Sequence, residues 1–230
     1  MMTVALAVPL LAPSAPADPL RIVSVSDAPR DRESLTGADV FLNHLEDRYR
    51  VDLQHINAGD PQASLMALDE CDVVFFHPQG AVADVHVDRL LAQLENGPPL
   101  VALRGAAHAL GEASAFDRKV LGARYLGVYE DELTTRTRPT AEGGNHPAFD
   151  DVSPILSRHP LYRFEDFAGD VVPLMIGATP GSSRQTIAWS RQAGERRIFY
   201  TSLGGGMDFE NDSVKRLLAN ALFWSARKEA

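Results

Sequence analysis

Four consecutive apolar residues, Val73-Val74-Phe75-Phe76, constrain the fold more than any other stretch. Side chains on a strand point alternately to opposite faces, so an unbroken apolar run needs cover on both sides. A parallel sheet with helices above and below supplies that cover. Leu100 to Leu103 repeats the pattern, and Leu20 to Ser26 (LRIVSVS) is a further β-branched strand. Arg50 to Ile56 alternates Val51, Leu53 and His55 against polar neighbours, as a strand does. Leu35, Ala38, Leu42 and Leu45 recur at helical spacing. Val87, Leu90, Leu91 and Leu94 mark a second helix, with Asp84 as its cap and Gly97-Pro98-Pro99 as its stop. Strands alternating with helices predict an α/β fold: a doubly wound, mostly parallel sheet flanked by helices in three α/β/α layers.

The second half adds strands over Leu161 to Phe164, Val171 to Ile176, Thr186 to Ser190 and Ile198 to Leu203. Arg191 to Arg197, broken by Glu195, reads as a solvated hairpin turn. Gly204-Gly205-Gly206 follows the last strand, and Val214, Leu217, Leu218, Ala221 and Leu222 mark a final amphipathic helix. The region Gly111 to Ser157 is rich in turn residues, and 142–147 reads as a loop. No internal repeat or linker interrupts the pattern, so residues 18–230 read as one domain.

Composition narrows the partners. The chain has 230 residues, 45% of them hydrophobic, and a net charge of −9 with no basic stripe. Nucleic-acid binders carry such a stripe, so nucleic acid is not an expected partner. An anionic surface also disfavours anionic lipid. Cys71 is the lone cysteine and has no internal disulfide partner. Val4 to Ala12 is an apolar run broken by Pro9, and Ala15-Pro16-Ala17 fits a small-residue cleavage site before Asp18. Residues 1–17 therefore read either as a secretory signal or as a disordered arm, and the run is too short to insert across a membrane. The first reading places the mature chain outside the cytoplasm, secreted or periplasmic; the second leaves it cytoplasmic.

In a wound sheet the residues just past the strand ends share one rim, where ligands bind. Ser26 and Asp27, His77, Arg104 to His108, and Gly204 to Gly206 all belong to it on this reading, and the loop with Asn145 and His146 can fold over it. A nucleophile elbow needs Ser or Cys at its tip; Arg104-Gly105-Ala106-Ala107-His108 has neither. A dinucleotide site is disfavoured, because the first strand has no glycine after it and Gly204 to Gly206 lacks the fingerprint. Those glycines serve either a tight turn or backbone N–H contacts to a polar ligand. The seven histidines form no close metal-ligand pair. No cofactor is expected, with a zinc-type site among His77, His108, His146 and His159 as the alternative. His44, His55 and His86 read as residues on element faces. Acid–base chemistry remains: His108 shuttles protons. Arg104 either holds a carboxylate or polarises a sugar oxygen, or forms a rim salt bridge with Asp27. His146 is either a site residue or a loop anchor before Pro147.

These residues resemble the ThuA-like family, named for trehalose utilisation, over roughly Leu20 to Ala226. Its Gly-Ala-Ala-His elbow is matched by Gly105-Ala106-Ala107-His108, and its His-Pro motif by His146-Pro147, followed by Phe149. Leu161-Tyr162 matches part of an acidic-Leu-Tyr segment. Ala188-Trp189, Phe199 to Gly204, Asn220-Ala221 and Trp224 match its last strands and helix. Three positions depart: Arg104 and Gly205 stand where relatives usually have His, and His159-Pro160 where they have an acidic residue. The resemblance implies a fold similar to class I glutamine amidotransferases and to flavodoxin, without the amidotransferase nucleophile. It also implies a role in carbohydrate metabolism, with chemistry on a (keto-)disaccharide. On that reading His108 and Arg104 are catalytic, while Asp27, His77, Asn145, His146, Tyr162, Gly204 and Gly205 bind substrate. The alternatives are a catalytically degenerate sugar- or partner-binding domain, favoured by the three departures, and a metal-dependent hydrolase.

Overall fold

The computed structural model describes residues 18–112, 115–129 and 134–229; the signal-like segment 1–17 lies outside the described residues. The first strands and helices follow in the expected order: β1 (Leu20–Ser26), α1 (Gly37–Arg48), β2 (Val51–Asn57), β3 (Val73–Phe76), α2 (Asp84–Asn96) and β4 (Leu100–Leu103). After them come β5 (Arg124–Val128), β6 (Thr135–Pro139), β7 (Leu156–Ser157), β8 (Tyr162–Glu165), β9 (Val171–Ala178), β10 (Gln185–Ala193), β11 (Arg196–Thr201) and α3 (Asp212–Ala226).

Nine strands form one sheet in the order β2-β1-β3-β4-β11-β10-β9-β6-β7. The pairs from β2 through β11 are parallel, and the remaining pairs are antiparallel. β10 and β6 therefore run against the other strands, and the sheet is large, mixed and mostly parallel. β5 and β8 make a separate antiparallel ribbon.

Strand periodicity divides the core. Val73 and Phe75, Val101 and Leu103, and Phe199 point to one face, where Phe41, Leu42 and Leu45 of α1 and Leu217, Leu218 and Leu222 of α3 cover them. Val74 and Phe76, Leu100 and Ala102, and Ile198 and Tyr200 point to the other, where Leu90 and Leu94 of α2 pack. Helices thus lie on both faces, as unbroken apolar strands require. Trp189 is fully buried, and its indole N–H donates to the Leu121 carbonyl at 2.7 Å.

Several details differ from expectation. The link from β2 to β3 carries only a 3-10 turn, Met66–Asp69. Leu35 lies outside α1 and is 84% exposed. Asp84 is the first residue of α2 rather than its cap, which is Ala83; its carboxylate faces the positive end of the helix dipole instead. The turn-rich middle contains β5, β6 and β7, whose polar sequences (Thr135-Arg136-Thr137-Arg138-Pro139, for example) hide them. Arg191 to Arg197 is the β10–β11 hairpin, as read, with Gly194 at φ 62°. Among the described residues no helix is long and apolar enough to cross a membrane.

Candidate functional site

All five parallel strands present their carboxyl ends on one edge, so the turns after β1, β3, β4 and β11 do meet there. The sheet order reverses direction between β1 and β3, the usual place for a ligand crevice. Asp27 occupies that place. Its Oδ1 accepts from the Gln79 amide at 2.6 Å and its Oδ2 from the Gly80 amide at 2.9 Å. The carboxylate is committed to the loop after β3, and it forms no pair with Arg104. His77 lies just beneath and is 4% exposed. It shares a 2.7 Å hydrogen bond with Ser24 Oγ, which also lies 3.2 Å from His55 Nδ1. Burial pushes the His77 pKa down to about 3, so it stays neutral. It braces the strand ends from within.

The turn after β4 is tightly built. A Cβ on Gly105 would collide with the Pro78 carbonyl oxygen, so only glycine lets this backbone pass. The preceding residue, Arg104, takes the strained value φ 26°. Its guanidinium donates to the carbonyls of Ser202 at 3.0 Å and Pro160 at 3.1 Å, and its Cζ lies 4.3 Å from the Tyr162 ring centre. Arg104 therefore clamps three segments together. His108 closes the same turn and is exposed. Its Nε2 lies 3.3 Å from the Tyr162 hydroxyl, and its ring is 5.3 Å from that of Tyr125. Burial, then the positive charge of Arg104, lower the His108 pKa, so its imidazole is neutral at pH 7. Burial raises the phenol of Tyr125 to about 12 and also raises that of Tyr162, so both keep their protons. A cleft of ≈ 220 Å³ opens at this point, lined by His108, Glu112, Asp117, Arg124 and Tyr125 among others.

The glycine turn is already satisfied. Gly204 adopts φ 104°, and its amide and that of Gly205 donate to Asp208 Oδ2 at 3.0 and 3.3 Å. Those N–H groups serve the turn, the first of the two readings, and not a ligand. Beside Gly205 lies His159, whose Nε2 is buried and has no hydrogen-bond partner among the described residues. Next to it Leu156, Arg158, Met207, Asp208, Glu210 and Asn211 line a second cleft of ≈ 330 Å³.

Asn145 and His146 do not fold over this rim. Asn145 Nδ2 donates to the Ala141 carbonyl at 2.9 Å. His146 Nδ1 accepts from the Ala148 amide at 3.1 Å, and its ring packs 4.5 Å from that of Trp224. Trp224 is in turn bound by Arg197, at the start of β11, whose guanidinium donates to the Trp224 carbonyl at 2.7 Å. His146 is thus a strand length from the rim and on the face opposite His108, because its loop docks on α3. Burial pushes its pKa down to about 4. Among the described residues no three His, Cys, Asp or Glu side chains converge as a metal site. A larger cavity of ≈ 490 Å³ beside β1 and β2 has Cys71 in its wall, but burial pushes that thiol up to about 11, leaving it unreactive.

The structure therefore gathers Arg104, His108, Tyr162, Gly204 and Gly205, and leaves Asp27, His77, Asn145 and His146 to other contacts. Sequence reasoning missed Tyr125, in a strand not recognised, and Asp208, whose position four residues after Gly204 was its only signal. It named His159 only as a departure and a conditional metal ligand.

Known structures share this architecture. A ThuA-like protein from Bacteroides uniformis superposes with a TM-score of 0.70 at 16% identity, over 93% of this chain and 95% of that one. The cytoplasmic protein STM1381 from Salmonella typhimurium gives 0.62 at 14%, over 89% and 99%. The carbohydrate deacetylase Agd3 gives 0.59 at 13%, over 90% of this chain and 32% of that protein. At these identities the likeness is one of fold. No curated protein matches the chain. The sequence model of the family described as "ThuA: Trehalose utilisation" matches residues 22–225, and the chain belongs to that family.

Proposed function

We propose that this protein binds a (keto-)disaccharide at the turn after β4 and moves a proton on it with His108. The observation that carries this reading is the pairing of a neutral, exposed His108 with the Tyr162 hydroxyl at the mouth of a polar cleft. A neutral imidazole accepts a proton from a sugar hydroxyl, or from the carbon beside a ketone, and returns it as imidazolium. The Tyr125 ring offers an apolar platform for a sugar face and Glu112 a hydroxyl partner. Asp117 accepts from the Arg118 and Tyr125 amides and Arg124 donates to Glu165, so both shape the cleft wall. Arg104 holds the Tyr162 ring and adjoining backbone in place, and its charge helps keep His108 neutral. Family membership supports the carbohydrate assignment. The parallel half with helices on both faces supports the amidotransferase-like layering, and its continuous nine-stranded sheet supports one folding unit over 18–230.

The decisive assay incubates purified protein with trehalose and with its 3-keto form. Consumption of either sugar, abolished by His108→Ala with binding retained, supports the reading. No consumption, where another family member is active, moves the assignment to the second reading, a sugar- or partner-binding domain. That reading is favoured by one observation: Arg104 in the turn after β4 and Asp208 in the turn after β11 already spend hydrogen bonds on backbone.

A further inference from the structure

The β5–β8 ribbon is interrupted by one extra residue. Val128 pairs with Tyr162 and Gly127 with Arg163, but Phe164 is met by Tyr125, because Leu126 is looped out. Such a bulge re-aims the side chains that precede it on the strand. In an unbroken ladder Leu126 would oppose Phe164, and Tyr125 would point away from Tyr162. The bulge instead sets Tyr125 on the face that Tyr162 and Phe164 share, with ring centres 5.0 and 5.6 Å away. Three contacts fix it. Gly127 adopts φ 109°, a value that favours glycine. The Leu126 carbonyl accepts from Arg163 Nη2 at 3.2 Å, and the Tyr125 amide donates to Asp117 Oδ2 at 2.8 Å.

The result is felt at the cleft beside His108. Tyr125 and His108 both line it, whereas Tyr162 is 5% exposed and is not part of its wall. The Tyr162 hydroxyl lies 3.3 Å from His108 Nε2. After burial, the strongest influence on the Tyr125 proton is Tyr162, through charge and a side-chain hydrogen bond between the phenols. Two groups that face the cleft are therefore joined inside the protein by a third. Nε2 of His108 is taken up by that link, which leaves Nδ1 of the exposed ring for a ligand.

We propose that Tyr125 is the catalytic acid of this site, joined to the base His108 through the Tyr162 hydroxyl, and that its substrate is an α-hydroxy ketone of a sugar. This deepens the carbohydrate reading and rests on it. His108 Nδ1 takes the proton from the carbon beside the ketone, and the C–H electron pair becomes a C=C bond. The ketone π pair moves onto its oxygen, which takes the Tyr125 proton. Tyr162 returns a proton to Tyr125, and His108 Nε2 returns one to Tyr162. The sugar becomes an enediol, and the imidazole ends with its proton on Nδ1 instead of Nε2. No net charge develops on sugar or protein. Neither phenol has to ionise, which burial of both opposes.

The test follows 3-keto-trehalose in heavy water by proton NMR, with trehalose as the control sugar. The wild type should speed the entry of deuterium at the carbon beside the ketone and leave trehalose unlabelled. Tyr125→Phe keeps the ring and its face, so KM should move by less than about threefold while kcat for labelling falls about 100-fold. Combining it with Tyr162→Phe should cost little beyond Tyr125→Phe alone, since both changes cut one circuit. Full labelling by Tyr125→Phe, or a rise in KM with kcat unchanged, overturns the proposal and leaves the carbohydrate reading standing. So does wild-type protein that consumes the keto sugar without labelling it. Wild-type protein that neither labels nor consumes it, where another family member is active, sinks both together.

Discussion

The guanidinium carbon of Arg104 lies 4.3 Å from the centre of the Tyr162 ring, stacking a fixed cation on an aromatic face. The hydroxyl at the far end of that ring meets His108 Nε2, so the histidine, the phenol and the cation form one connected unit. Tyr162→Phe keeps the stack and removes only the hydroxyl. Turnover of the keto-disaccharide should fall about 10–100-fold, while stability changes by less than about 1.5 kcal/mol. Steady-state kinetics and chemical denaturation of the same variant check both halves.

Arg104 makes demands that lysine cannot meet. Its planar fork reaches the carbonyls of Ser202 and Pro160 together. Arg104→Lys should loosen the segment carrying Pro160 and Tyr162, lowering the denaturation midpoint by the equivalent of about 1–2 kcal/mol. Faster hydrogen exchange confined to residues 158–162 and 202–205 would be its local signature; uniform exchange would contradict the clamp.

Stability should fall with acid through the buried histidines. His77 titrates at about 3 in the folded protein and near 6.5 when unfolded. The unfolded chain therefore binds the proton first as pH drops. Stability is complete above about pH 6.5 and is lost progressively toward pH 3, by a few kcal/mol for this one group. His146, pushed down to about 4, acts in the same direction. Urea midpoints measured from pH 7 to pH 4 should decline, and His77→Gln should flatten part of the slope. An identical slope in His77→Gln and His146→Gln would contradict this account.

Gly105 tolerates no side chain, since a Cβ would run into the Pro78 carbonyl. Gly105→Ala must move backbone rather than a flexible side chain. It should cost more than about 2 kcal/mol, and thermal denaturation reads it directly. Gly144→Ala, where nothing lies within reach of an added methyl, is the matched control and should be near neutral.

The glycine turn after β11 hangs on one carboxylate. Asp208→Ala removes the acceptor shared by the Gly204 and Gly205 amides. Both donors are then left in a buried turn, at a cost of about 1–3 kcal/mol. Asp208→Asn retains an acceptor oxygen and should lose less, as denaturant titration will register.

Much of the sheet was legible because its parallel half obeys one rule. β1, β3 and β4 are apolar on both faces, and residues such as Phe75 and Phe76 must go to opposite helical layers. β6 and β7 follow no such rule: they are short, polar and lie at the sheet edge, so their pairing comes from β9 rather than from their own residues. The His108 turn was legible for the same reason as the strand that leads to it. The placement of His146 was not, because local sequence gave no hint that Trp224 would draw its loop to α3. The rim position expected for residues 146–147 is therefore not the one the structure gives. The departures at 159 and 205 looked like two separate losses in one dimension. In three dimensions they are neighbours, the His159 ring filling the space a side chain at 205 would take.

Asp27 lashes the loop after β3 across the point where the sheet changes direction. That tether spends both carboxylate oxygens on backbone and ties the two neighbouring turns into one rigid corner of the edge. With alanine at this position the Gln79 and Gly80 amides would lose their acceptor, and two backbone donors would stand side by side at the corner, ready for an anionic group from outside.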